Sequence, residues 1–138
     1  MGEVKIRILL RSFKTPDLAD EKKILDEIAA TIRAEHPRAE VNVAIKVQYR
    51  NMIEALEREP RAVALAAKAV DKVGLKSRFT SVRGGTDGSR LSEMGLPTPN
   101  LGTGMHNFHS PLEYACLEEM EDAVKVLAEL AQLWAKEK

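Results

Sequence analysis

Val41-Asn42-Val43-Ala44-Ile45-Lys46-Val47-Gln48-Tyr49 carries the clearest alternation in the chain. Successive side chains of an extended backbone point to opposite sides. Val41, Val43, Ile45, Val47 and Tyr49 therefore share one face, and Asn42, Ala44, Lys46 and Gln48 the other. A period of two predicts a half-buried strand with one wet face. Upstream, Val4, Ile6, Ile8 and Leu10 alternate with Lys5, Arg7, Leu9 and Arg11, which predicts a second such strand. Between the two, Thr15-Pro16-Asp17 breaks the alternation and opens a helix. Leu18, Ile24, Leu25, Ile28 and Ile32 mark its apolar face, and Pro37 stops it. The first fifty residues read as a β-α-β unit.

After Tyr49-Arg50-Asn51 the character changes. Pro60 starts an alanine-rich helix carrying Val63, Ala66, Ala67, Val70 and Val73, with Gly74 as its natural C′ residue. Residues 75–82 predict a strand, 83–88 a glycine-rich turn and 89–94 a short helix. Residues 96–101 hold two prolines and predict an edge strand at best. Residues 102–111 form a loop rich in Gly, Asn and His, and a last helix spans about 117–134. Met120, Val124, Leu127, Ala131 and Trp134 mark its expected buried face. The class is α/β, divided near Arg50 into 1–52 and 53–138.

Composition removes several functions. In 138 residues, 21 Lys+Arg balance 21 Asp+Glu, so no global field steers the chain toward nucleic acid. With 44% hydrophobic and 30% charged residues the mix is globular rather than disordered. No apolar run approaches the ~20 residues of a membrane helix. The alternating start is no signal peptide, so the expected setting is cytoplasmic. Cys116, the single cysteine, excludes an internal disulfide framework and a CxxC zinc knuckle. The length fits one compact domain or two pieces of larger ones.

Three places invite chemistry. Arg83-Gly84-Gly85-Thr86-Asp87-Gly88 lies between a strand and a helix. It reads either as a tight turn with Asp87 as helix cap or as a ligand loop in which Arg83 grips a carboxylate or phosphate. It matches neither a Walker A loop nor GxGxxG. His106 and His109 read either as surface histidines or as metal ligands or a general base, with no HExxH or HxxEH pattern beside them. Glu113 is placed to orient His109 or to cap a turn. Tyr49-Arg50-Asn51 sits at a strand end, a common ligand position. The acidic runs around Glu57 and Glu118-Glu119 read as solvated helix faces, the second complementing the dipole of the last helix. Cys116 reads as a buried structural thiol.

Arg83-Gly84-Gly85-Thr86-Asp87-Gly88, continued by Leu91-Ser92-Glu93-Met94-Gly95-Leu96-Pro97-Thr98-Pro99-Asn100-Leu101, resembles the zinc-dependent exopeptidases of the peptidase T (tripeptide aminopeptidase) family. Asn107-Phe108-His109 with Glu113-Tyr114, and Tyr49-Arg50-Asn51-Met52, continue the resemblance, which covers essentially the whole chain. It implies a catalytic α/β domain holding two zinc ions, with an inserted lid or dimerisation domain. Residues 1–52 would be half of that lid, and 53–138 the C-terminal part of the catalytic domain. By the same resemblance His109 matches a zinc ligand, Arg83 the arginine that holds a substrate carboxylate, Gly84 and Gly85 the pocket wall, and Asn51 a substrate-facing residue. His106 stands where relatives carry an aromatic side chain and inherits no role.

The family's HxD motif, bridging aspartate and Glu-Glu pair belong to its N-terminal half and are not recognisable here. In the family, metal-activated water attacks the peptide carbonyl while a glutamate takes its proton. The expectation for this chain is therefore the C-terminal portion of a short-peptide aminopeptidase, inactive by itself and not retaining zinc alone. Its expected partners are a second copy or the missing N-terminal half. The rival expectations are a non-catalytic oligomerisation module built on the alternating strands and a small-anion binder built on the glycine-rich loop.

Overall fold

The computed structural model describes residues 2–83 and 85–137. Gly84, one of the expected pocket-wall glycines, lies outside them. In chain order the elements are α1 (Asp17–Glu35), α2 (Ile53–Arg58), α3 (Arg61–Lys72), α4 (Asp87–Glu93), β1 (Met105–His106), β2 (Tyr114–Ala115) and α5 (Leu117–Trp134). The result is a helix-rich α/β arrangement with one small antiparallel pair, β1–β2, among the described residues.

The helices follow their punctuation. Pro16 occupies the N-cap of α1, where its missing N–H costs nothing. Asp17 and Asp20 stand in the first turn and Arg33 in the last, each complementing the helix dipole. Arg33 then donates from Nε to the Val41 carbonyl at 3.1 Å, tying the helix end to the start of the 41–49 stretch. Pro60 plays the N-cap part for α3. Beyond the end of α3, Gly74 takes φ +85, the left-handed conformation that suits glycine.

The alternating stretches behave differently from expectation. Among the described residues 4–10, 41–49, 75–82 and 96–101 form no sheet ladder. Ile6 is 79% exposed and Val47 72%. Alternation records which side a residue is built to bury; a ladder also needs a neighbouring strand to supply the hydrogen bonds. The accessible surface is 11260 Å². A compact monomer of this mass would expose roughly 7,100 Å². The difference is largely the uncovered faces of these extended stretches and of the helices meant to lie on them.

The packed core sits between α3 and α5. Leu65 and Ala69 of α3 meet Val126 and Leu133 of α5, flanked by Val70, Val73 and Leu130. Ala69 is fully buried, and its small side chain lets the two helices approach closely. This overturns the expected face of α5. Val126 and Leu133 are buried while Met120, Val124 and Leu127 are exposed. The helix is apolar on two sides, and periodicity alone does not say which side takes the neighbour. α1 shows the same discrepancy, since Ala29 is buried but Ile24 and Ile28 lie open.

Two cross-ties flank the α3–α5 seam. Lys72 Nζ lies 2.6 Å from Glu129 Oε1, and the Arg61 guanidinium sits 5.7 Å from the centre of the Trp134 ring. The Lys72 hydrogen bond holds the Glu129 carboxyl below its ordinary pKa. A carboxylate depressed in the folded state stabilises at pH above its unfolded pKa, and that contribution is lost as pH falls through the folded value. The melting temperature is therefore expected to fall on the acid side of the ordinary carboxylate range. Glu129→Gln should reduce that slope slightly, because the pair is exposed to solvent. Thermal melts of both proteins from pH 7 to pH 3 check this, and identical slopes would contradict it.

Candidate functional site

Four consecutive residues fasten the end of the 41–49 stretch to the block that follows α3. Tyr49 Oη accepts the Gly85 N–H at 2.9 Å. The Arg50 N–H donates to Glu93 Oε1 at 2.7 Å. Asn51 Nδ2 donates to the Val82 carbonyl at 3.0 Å, and its Oδ1 accepts the Ile53 N–H at 3.0 Å. Met52 is buried, with the Asn100 amide 3.9 Å from its sulfur. The compositional boundary is thus a bolted joint.

Gly85 is glycine because of this joint: a Cβ built there collides with the Tyr49 ring. Gly88 is glycine because its Cβ would stand 2.6 Å from the Thr98 carbonyl oxygen, so α4 lies directly on the 96–100 segment. Ser92 Oγ accepts the Thr98 N–H there at 3.0 Å. The expectation that Asp87 caps the helix is corrected. Thr86 takes the N-cap backbone position at φ −133 and ψ 169, and Asp87 is the first helical residue, where its charge still complements the dipole.

Arg83 emerges beside the joint. With Leu9, Leu10, Arg11 and Glu21 it lines an open cleft of about 430 Å³. A smaller adjoining recess of about 20 Å³ shares Leu10, Arg11 and Arg83 and adds Tyr49 and Asn51. The structure therefore brings Arg83 and Asn51 to one recess, with Gly85 held against its Tyr49 wall. Both ends of the Asn51 amide are already engaged with backbone, so this side chain builds the recess as well as lining it.

His109 lines neither of these recesses and stands in the turn between β1 and β2. Its φ is +61 and that of Asn107 is +54, left-handed conformations that Asn and His tolerate better than most residues. Glu113 Oε2 accepts the His109 backbone N–H at 2.9 Å, so Glu113 fixes the turn and not the imidazole. Asn107 Nδ2 donates to the Leu112 carbonyl at 3.2 Å, and the exposed His109 ring is presented from a laced loop.

The neighbouring His106, read from sequence as a surface histidine or a metal ligand or base and given no role by the family pattern, has a structural partner. Its Nε2 lies 2.7 Å from Glu119 Oε2, and its ring stacks on Tyr114 at 4.8 Å and 14°. These contacts fix the hairpin to α5, helped by the Cys116 N–H donating to the Gly104 carbonyl at 2.8 Å. Gly104, at φ +75, has no room for a Cβ beside the Cys116 oxygen at 2.9 Å. Cys116 itself is half-buried rather than buried, and its thiol donates to Glu118 Oε2 at 3.1 Å. The Glu118 carboxyl is held low first by its own backbone N–H and then by that thiol. Among the described residues no three His, Cys, Asp or Glu side chains converge to hold a metal ion. No described helix is long and apolar enough to cross a membrane.

The family model for peptidase family M20/M25/M40 matches residues 4–133. The chain is 40% identical over 134 residues to the Peptidase T of Clostridium acetobutylicum, covering 97% of this chain and 33% of that protein. It is 41% identical over 131 residues to the Peptidase T of Aeromonas hydrophila, covering 95% of this chain and 32% of that one. The Peptidase T of Caldanaerobacter subterraneus is 37% identical over 134 residues, with 97% and 33% covered. The chain spans about a third of the length of the curated relatives it matches. The matched range takes in the bolted joint, the arginine cleft and the His109 turn, and the chain belongs to peptidase family M20/M25/M40.

Proposed function

We propose that this chain supplies the C-terminal third of a peptidase T-like zinc aminopeptidase acting on short peptides. The observation that carries the reading is the convergence of Arg83 and Asn51 on one recess beside the Tyr49–Gly85 contact. In this reading Arg83 grips the terminal carboxylate of the substrate, as a guanidinium does best in bidentate fashion. Gly84 and Gly85 form the wall against which the peptide lies, and Asn51 hydrogen-bonds near the reacting carbonyl. Residues 1–52 serve as part of a lid or dimerisation domain. The working compartment is the reducing cytoplasm, consistent with one free cysteine.

The family implies zinc, and His109 is the side chain proposed to contribute one ligand. Among the described residues the donors do not by themselves fit a zinc site, which needs three or four ligands converging. No chemical step through the metal is derived from these residues. Peptide hydrolysis by the purified 138-residue chain with added zinc or cobalt is accordingly expected to stay at background. Chelator-sensitive turnover abolished by His109→Ala would sink that expectation.

The open apolar faces favour a second aspect of the same reading, an assembly. Val4, Ile6, Ile8, Val47, Val124 and Leu127 are each more than half exposed. Faces of this kind bury themselves against another chain, either a second copy or the remainder of the fold. Light scattering behind size exclusion is expected to show a species heavier than the monomer, and a stable monomer would count against it.

A further inference from the structure

Arg11 carries chemistry that the reading above leaves unused. It lines the large cleft and the small recess, as Arg83 does, and the two lie 72 positions apart in sequence. Among the described residues neither arginine takes part in an ion pair. Two guanidinium groups on one wall repel each other, and an anion bridging them relieves that repulsion. Glu21 is the acidic residue on the same wall. It is half-buried, and its Oε2 is enclosed without a hydrogen-bond partner. Two positive side chains and one negative one leave the cleft a single net positive charge. Such a wall attracts an anion of either valence, so its charge alone does not choose between one carboxylate and a phosphate dianion. Leu9 and Leu10 add an apolar floor for whatever carries that carboxylate.

We propose that Arg11 is a second carboxylate-holding side chain, acting with Arg83, and that the apolar floor beside them favours a carboxylate carried on an organic chain over bare phosphate. This rests on the peptide reading of Arg83 given above and adds its partner and the part played by the floor. The test is titration of the 138-residue chain with trialanine, trialanine amide and inorganic phosphate, followed by calorimetry and amide chemical shifts. Trialanine is expected to bind more tightly than either of the others. Arg11→Ala is expected to weaken it about tenfold or more, the usual effect of losing a hydrogen bond to a charged group. Arg7→Ala, in the same alternating stretch and outside the cleft, is expected to leave it unchanged.

An Arg83→Ala loss without an Arg11→Ala loss overturns the Arg11 assignment and leaves the peptide reading standing. Indifference to both substitutions overturns the peptide reading of Arg83 as well. Equal losses in Arg7→Ala and Arg11→Ala reduce the effect to general charge and overturn the assignment, and tighter binding of phosphate overturns the selection by the apolar floor. Should Arg11→Ala fail to fold, phenylglyoxal modification of the unaltered chain probes the same contact. Trialanine must then protect Arg11 together with Arg83, and protection of Arg83 alone overturns the proposal.

Discussion

Gly85→Ala is expected to destabilise the fold by about 1–3 kcal/mol, the range for forcing extra volume into a closed contact. The added methyl collides with the Tyr49 ring, so the ring must leave, and the Gly85 N–H loses its acceptor as it goes. Tyr49→Phe keeps the ring and removes only that acceptor, for which about 0.5–1.5 kcal/mol is expected. The pair should be strongly non-additive. Once Tyr49→Ala has emptied the space, Gly85→Ala should add little. Urea titrations of the parent, Gly85→Ala, Tyr49→Ala and the double variant measure this cycle. A Gly85→Ala protein as stable as its parent, or two penalties that simply add, would refute the contact as the source of the effect.

The second large effect is expected in the α3–α5 seam. Leu133→Ala should cost about 2–5 kcal/mol, since it opens a cavity against Leu65 and Ala69. Whole domains of ordinary stability hold only about 5–15 kcal/mol, so a single truncation here can unfold the chain. Leu127→Ala, off the buried stripe of α5, should be close to neutral, because that side chain is 55% exposed. Circular dichroism melts separate the two. Comparable losses at Leu127 and Leu133 would restore the buried face that the sequence pattern indicated and remove the one seen in the fold.

That comparison also shows why some features were readable and others not. α1, α3, α4 and α5 start and stop within a residue or two of their prolines, acids and glycines, because helix ends depend on local backbone chemistry. The strands were legible as alternation but not as ladders, because pairing is a property of two segments. The short helix α2 went unread; Met52 stands at its N-cap position and Asn51 accepts the N–H of its first residue, Ile53, a turn contact hidden inside what looked like a boundary. The hairpin β1–β2 escaped notice because two-residue strands have no period to read. Arg83, Asn51 and Gly85 were singled out from a glycine-rich turn, a strand end and the family motifs; the fold places Asn51 and Gly85 in one joint and Arg83 beside it. His106 and Glu119 were missed as a pair, since thirteen residues and a hairpin separate them. Arg11 was read only as the wet side of an alternating stretch.

The joint at residues 49–52 has a mechanical consequence. Four successive residues are anchored across to Gly85, Glu93, Val82 and Asn100. A segment held at every position does not act as a pivot, since bending it breaks several bonds together. Any swing of the first fifty residues that narrows the arginine cleft must then turn elsewhere. Residues 49–52 and the groups that hold them, on Val82, Gly85, Glu93 and Asn100, then move as one piece, and a hinge must lie outside that piece.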